Sequence, residues 1–328
     1  MLAFLVQRLF QAVLVMLAVA VIAFALFNYV GDPISSMVGQ DTSVADRERL
    51  RQELGLDDSF IVQFARFVGR AARGNFGLSY QQARPVGQII LEKMPATLEL
   101  SFVAATLALI IGVPMGIYTG LHRDTWLSQL LLAVSLVGVS LPTFLIGILL
   151  ILVFAVMLGW LPSFGRGSVV HFGWWSSGLV TLDGWRAIIM PAVTLSLFQM
   201  TLIMRLVRAE MFEVLRTDYI NFARARGLTN RTVNFGHALK NTLVPVITIA
   251  GLQLGSIIAF AIITETVFQW PGMGLMFIQA VSFADIPVMA AYLVLVGFFF
   301  VVINLVVDLL YHAVDPRLSL DRERVGVG

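Results

Sequence analysis

MRLVRAEMFEVLRTDYINFARARGLTNRTVNFGHALKNTLVP, residues 204–245, is a polar, helix-prone stretch set between two long apolar runs. It carries seven of the chain's 22 Lys and Arg residues (Arg205, Arg208, Arg216, Arg224, Arg226, Arg231 and Lys240) against three acids, Glu210, Glu213 and Asp218. Its surroundings lack the polar surface a soluble domain needs. Of the 328 residues, 58% are hydrophobic and only 13% charged, whereas a soluble domain has roughly 25% charged residues. The composition describes a chain that crosses a membrane several times, with this stretch lying at one membrane face.

Local signals divide the stretch into three helical pieces. Ala209 to Leu215 continues the apolar helix before it. Asp218 is placed to cap a second helix, YINFARARG, which Gly227 ends. Thr229 or Asn230 can begin a third, RTVNFGHALKNTL, leading into the next apolar run. Ile220, Phe222, Ala223 and Leu228 interleave with Arg224 and Arg226, and the small Ala223, Ala225 and Gly227 leave room for another chain to approach. Two readings follow from physics. The stretch is an interfacial amphipathic loop with its arginines on lipid phosphates, or it is a docking element for a partner protein.

About 20 apolar residues in a helix cross the hydrocarbon core, which predicts six spans: 9–30, 97–120, 130–158, 188–206, 244–265 and 287–310. The first apolar run is too long for a signal-peptide core and lacks a cleavage site. Pro114, between Gly112 and Gly116, is expected to break the second span. Six spans make an all-α membrane protein with both termini on one side. The short loops at 159–187 and 266–286 carry only Arg166 and Arg186, so the arginine-rich 204–245 stretch and both termini are expected in the cytoplasm, with Arg8 agreeing. The long hydrophilic segment 31–95 then lies outside; it holds RERLRQELGL (47–56), read as a helix, and GNFGLSY (74–80), read as a turn. Trp160, Trp174, Trp175 and Trp185 suit an interfacial belt.

Much chemistry is excluded. There are no cysteines, and His122, His171, His237 and His312 lie far apart, so no metal site is expected. The two lysines, Lys93 and Lys240, follow no glycine-rich loop, so the chain has no phosphate-cradling motif and any ATP is hydrolysed by another subunit. No catalytic or cofactor-binding residues are expected, and a net charge of +2 does not suggest nucleic acid. The polar groups in or near spans are Asn28, Gln199, Gln253, Glu265, Asn304 and Asp308. Gln199, Gln253 and Glu265 are candidates for a translocation pathway. Glu265 equally suits a structural hydrogen bond at the outer end of span five, and Asp308 a structural pairing near the cytoplasmic face.

DYINFARARGL followed by HALKNTLVPVIT resembles the cytoplasmic coupling loop of ABC transporter permeases, and more narrowly the dipeptide/oligopeptide/nickel importer group, dipeptide-permease B-like. Further pieces agree in order along nearly the whole chain: GDP (31–33), LGLD (54–57), GNFGLS (74–79), PATLEL (95–100), LPTF (141–144), ETVFQWPGMG (265–274) and NLVVDLLYHAVDPR (304–317). Asn221 stands where the family has its glutamate, Phe222 at its first alanine, and Lys240 where many relatives have proline. The resemblance implies a type I ABC importer permease with an N-terminal helix (1–30), an extracytoplasmic segment (31–95), a permease core (96–312) holding the coupling loop (208–241), and a cytoplasmic tail (313–328). It implies as partners a second homologous permease, two ABC ATPase subunits that carry ATP and Mg, and an extracytoplasmic solute-binding protein, all at a bacterial inner membrane. Tyr219, Ile220, Asn221, Phe222, Ala223, Arg224, Ala225, Arg226 and Gly227 are then the helix seated in the ATPase. The segments 31–95 and 266–286 would meet the binding protein.

Peptide is the expected substrate, with glutathione, an opine or nickel as alternatives. An ion-gradient-driven transporter would need mid-bilayer ionisable groups or repeat symmetry, and a membrane enzyme would need clustered catalytic side chains; the sequence displays neither.

Overall fold

An apolar run that leaves water can satisfy its own backbone N–H and C=O groups as a helix, and the computed structural model of this chain is mainly helical in its apolar runs. It describes residues 2–29, 49 and 58–314. The expectations for GDP, RERLRQELGL, LGLD, the side chains of Asn28 and Asp308, and the tail beyond 314 lie outside the described residues.

In chain order the elements are α1 (Leu2–Tyr29), α2 (Phe60–Ala71), α3 (Val86–Leu121), α4 (Trp126–Ser140) and α5 (Thr143–Leu150), which runs into a π-helical turn over Ile151–Met157. A small antiparallel hairpin follows, β1 (Val170–Phe172) with β2 (Trp175–Ser177), in register Val170 to Ser177 and Phe172 to Trp175. Then come α6 (Leu182–Val214), α7 (Asp218–Ala225), a π-helical turn over Thr232–Ala238 that opens α8 (Leu239–Val267), α9 (Met273–Ser282) and α10 (Ile286–Val314). Among the described residues four helices are, by length and composition, able to cross a membrane: α1 over Val6–Ala25, α3, α6, and α10 over Ile286–Val307. The α4–α5 pair makes a fifth if it is one bent span.

Two expectations are corrected. Pro114 does not break span two: α3 is one helix of 36 residues beginning at Val86, and it passes through both Pro95 and Pro114. A proline deletes one backbone donor, which neighbouring helices can tolerate in an apolar setting. Span three, by contrast, is interrupted. Pro142 takes an extended conformation (φ −58°, ψ 136°) and α5 leaves α4 at 109°, so LPTF is a corner.

The chain forms two compact units, each interleaved in sequence. The first comprises residues up to Leu98, Phe164–Trp185 and Gln269–Val301. In it the amphipathic α2 lays Phe60, Phe64 and Phe67 around Phe24 of α1, with ring centroids 5.1–5.6 Å apart. The motif pieces bind one another. The indole of buried Trp270 donates to the Ala96 carbonyl at 3.0 Å, and the Met273 amide donates to Thr97 Oγ1 at 2.8 Å. The buried carboxylate of Asp285 accepts from the Ser79 hydroxyl and from the amides of Tyr80 (3.1 Å) and Gln81 (3.3 Å), tying the GNFGLSY turn to the start of α10. Burial, then the Asp285 charge, pushes the neighbouring Tyr80 phenol up to about 12, Arg70 opposing. Arg166 is buried with its guanidinium on the Ser176 hydroxyl and carbonyl, which holds the hairpin.

The second unit comprises Glu99–Ser163, Arg186–Phe268 and the residues from Val302. Here Gly112, Gly116 and Gly120, spaced by four, form the line along which α3 lies on α6. A methyl added at Gly112 would stand 2.9 Å from the Met200 carbonyl oxygen, one at Gly116 2.7 Å from that of Met204, and one at Gly120 2.9 Å from Met211 Cβ. Small residues at this spacing let two helix backbones approach where no water drives them together.

Candidate functional site: the coupling segment and a small cavity

The 204–245 stretch is built from α6 outward. Its last turn closes with Leu215 donating to the Met211 carbonyl and Thr217 to that of Val214. Thr217 is extended (φ −70°, ψ 152°) and is the residue that precedes α7. Asp218 is therefore the first residue of the helix, which corrects the expectation that it caps it. The reason is local: the Thr217 hydroxyl donates back to the Val214 carbonyl at 2.6 Å, so the chain has already turned before Asp218. The Asp218 carboxylate instead lies in the first turn, where the helix dipole favours negative charge.

Gly227 ends α7 as expected, at φ +78°. Its amide donates to Arg224 O at 2.9 Å and that of Leu228 to Ala223 O at 3.4 Å, the two bonds of a Schellman closure, which needs a left-handed residue that glycine supplies without strain. Thr229 begins the next helix, its hydroxyl accepting from the Thr232 amide at 3.3 Å.

Between these ends α7 has two faces. Ile220 is fully buried and Ala223 nearly so, both packed with Val207, Met211, Val233 and Ala238. The expectation that Ala223 leaves room for another chain is corrected: residues three apart share a helix face, and Ile220 commits that face to this chain's own core. The other face is open. Phe222 is 65% exposed, Tyr219 is 41% exposed, and Asn221, Arg224, Ala225, Arg226 and Gly227 are exposed with them. The Arg226 guanidinium lies 5.9 Å from the Phe222 ring centroid, within cation–π range. The Tyr219 hydroxyl accepts from Asn241 Nδ2 at 2.6 Å, fixing the ridge to α8. Tyr219, Phe222 and Arg226 thus form one outward ridge, and Ile220 and Ala223 are its root.

Two of the three pathway candidates meet. Gln199 of α6 and Gln253 of α8 line a cavity of ≈ 10 Å³ together with Ala105, Ala108, Ile203 and Ile257. Gln199 Nε2 donates to Ser256 Oγ at 3.0 Å, and Ser256 donates to the Gln253 carbonyl at 2.7 Å. Among the described residues Gln199 Oε1 has no hydrogen-bond partner, and it is buried. Glu265, fully buried near the end of α8, is not among the residues lining this cavity. Three buried charged residues were not singled out from sequence for any role: Glu99 in α3, Arg166, and Asp285. Each is a lone charge within or beside an apolar run, and that was the available signal.

A family model described as "Binding-protein-dependent transport system inner membrane component" matches residues 112–320, and a companion model for the N-terminal part of such membrane components matches residues 1–101. The chain is 36% identical to the dipeptide transport system permease protein DppB of Alkalihalophilus pseudofirmus, over 97% of this chain and all of the relative. It is 38% identical to the probable D,D-dipeptide transport system permease protein DdpB of Escherichia coli, over 95% of this chain and 96% of the relative. It is 35% identical to the E. coli glutathione transport system permease protein GsiC, over 97% and 99%. Among solved structures, the inward-facing MetNI methionine ABC transporter shares the fold, with a TM-score of 0.54 at 20% identity over 69% of this chain and 96% of that one. Matched along both family models and to relatives over nearly its full length, the chain belongs to the inner-membrane permeases of binding-protein-dependent ABC importers, in the DppB family.

Proposed function

We propose that this permease carries peptides, with di- and oligopeptides as the substrate class, and that α7 transmits the ATP cycle to its spans through the exposed ridge Tyr219–Phe222–Arg226. The two-faced burial of α7 is the observation that carries this reading. A lever must be rigid on its own side and open on its partner's, and fully buried Ile220 beside 65%-exposed Phe222 meets both conditions. Asn221, Arg224, Ala225 and Gly227 complete the surface for an ATPase groove; Ile220 and Ala223 anchor it. Asn221, where the family has glutamate, makes this docking neutral at one position.

The complex we propose holds a second homologous permease, two ATPase subunits and a solute-binding protein. In this arrangement α8 supplies a sixth span, both termini face the cytoplasm, and the architecture is that of a type I importer. The chain then divides as the resemblance implies, into 1–30, 31–95, 96–312 and 313–328. The segments 31–95 and 266–286 face the binding protein, and the bonds of Asp285 to Ser79 and Tyr80 support their acting as one surface. Closure of the ATPases on ATP moves α7, and the spans exchange outward- and inward-facing states; the ligand that binds one state better shifts the balance.

Peptide is favoured because the relatives named for a substrate handle dipeptides, D,D-dipeptides and glutathione. The Gln199–Ser256–Gln253 chain offers donors and an open acceptor suited to amide groups. At ≈ 10 Å³ the cavity is closed to a peptide, since small-ligand pockets run from roughly 300 Å³, so Gln199 and Gln253 act when the helices part. We assign Glu265 to the same pathway's outer end.

The test is ATP-dependent dipeptide uptake by the reconstituted complex. Phe222→Asp should abolish uptake and release the ATPase subunits on purification while the second permease stays bound. Uptake that persists without ATP or ATPase subunits would overturn the reading in favour of a gradient-driven transporter.

A further inference from the structure

A second feature of the same membrane face is independent of coupling. Arg123 lies in the HRDTW turn that follows α3, and its guanidinium carbon stands 3.0 Å from the centroid of the Phe212 ring of α6. Arg216 stands 3.8 Å from the same centroid. Arg208 lies one helical turn before Phe212 on α6. Among the described residues none of these three arginines has a carboxylate within 4.0 Å. Burial, then the charges of Arg216 and Arg208, lowers the pKa of Arg123, with only Asp124 opposing. One phenyl ring attracts a cation through its face but carries no net charge to cancel one. Two guanidiniums on this ring, with Arg208 one helical turn away, therefore call for an anion.

The setting selects the kind of anion. Trp126, three residues after Arg123, is 74% exposed, and a tryptophan beside the end of a span belongs at headgroup level. From it an exposed apolar line, Trp126, Leu130 and Val134, runs along α4 at a spacing of four. A soluble acidic protein would have no use for that line, whereas the acyl chains of a lipid would. Basic pockets between spans are places where anionic headgroups bind.

We propose that Arg123 and Arg216 on the Phe212 ring, with Arg208 one helical turn before it, bind the phosphate of an anionic phospholipid whose acyl chains lie along Trp126, Leu130 and Val134. The bound lipid joins the end of α3 to the end of α6, directly before the turn into α7.

The complex, purified in mild detergent and incubated with phosphatidylglycerol or phosphatidylcholine, is examined by native mass spectrometry for lipid retained on this chain. Wild type should retain phosphatidylglycerol over phosphatidylcholine. At roughly 1 kcal/mol per basic residue near an anionic surface, Arg123→Gln and Arg216→Gln should each weaken retention about fivefold. Arg231→Gln, which removes a charge elsewhere on the segment, should leave it unchanged. Arg216 is in an exposed turn, so its loss does not threaten folding. Equal weakening by Arg231→Gln would overturn the site in favour of diffuse attraction. Undiminished retention by both Arg123→Gln and Arg216→Gln would overturn it outright. Displacement of the lipid by inorganic phosphate at equal concentration would overturn the lipid assignment.

Discussion

Ile220 and Phe222 are two residues apart, both large and apolar, and they do opposite things. Ile220 is in the core of the second unit, so Ile220→Ala removes buried methylene groups and leaves a cavity. Such changes cost about 2–5 kcal/mol, and the thermal midpoint of the purified chain should fall clearly. Phe222→Ala should leave that midpoint nearly unchanged, because its ring is mostly in solvent. Equal destabilisation by both would mean that α7 is not two-faced. Tyr80 gives a pH prediction. Burial and the Asp285 charge hold its phenol up to about 12, above the ordinary tyrosine value of about 10. Below the ordinary value both folded and unfolded forms keep the proton and the stabilisation is complete. As pH rises towards the folded value the unfolded state releases its proton first, so stability falls across that window. Tyr80→Phe should flatten this alkaline decline in denaturation followed against pH.

Of the three glycines of α3 that face α6, Gly116 would bring an added methyl nearest to a backbone atom of that helix. Gly116→Val would put branched carbons where the Met204 carbonyl already stands within 2.7 Å of a single added methyl, and α3 would have to lift off α6. The expected outcome is a strong loss of folded, detergent-stable protein in size-exclusion chromatography, while Gly236→Val, at a site with only a side-chain methyl group within 4 Å, should be tolerated there. A stable Gly116→Val protein would contradict the close packing. The same helices show what was legible in the sequence. Where apolar runs lay was readable from length alone, and Gly227 announced a left-handed turn because little else fits there. The prolines were not readable: Pro114 and Pro142 look alike in an apolar run, yet α3 continues through the first while the chain turns a corner at the second. For Pro114 the glycines on either side lie against α6, and that contact exists only once the chain is folded. Nor could the role of Ala223 be read, since small and apolar describes both a contact surface and a packed core. Asp285 was beyond sequence reasoning for a plainer reason: its hydroxyl partner, Ser79, lies 206 residues away.

For the whole molecule, the permease family rests on features spread along the entire chain, whereas the proposed coupling rests on one short helix. In the proposed mechanism α7 meets an ATPase with its Tyr219–Phe222–Arg226 ridge, while Ile220 and Ala223 pack on its own chain. The absence of native cysteines makes this directly measurable. Single cysteines would be placed at 222, 226 and 223 in turn, in the complex with its ATPase subunits, and treated with a short bifunctional cross-linker. Phe222→Cys and Arg226→Cys should cross-link to the ATPase, more strongly in one nucleotide state than in the other, while Ala223→Cys stays unreacted until the protein is unfolded. If Ala223→Cys cross-links and the ridge positions remain freely labelled by a water-soluble maleimide in the assembled complex, α7 is not the coupling element described here.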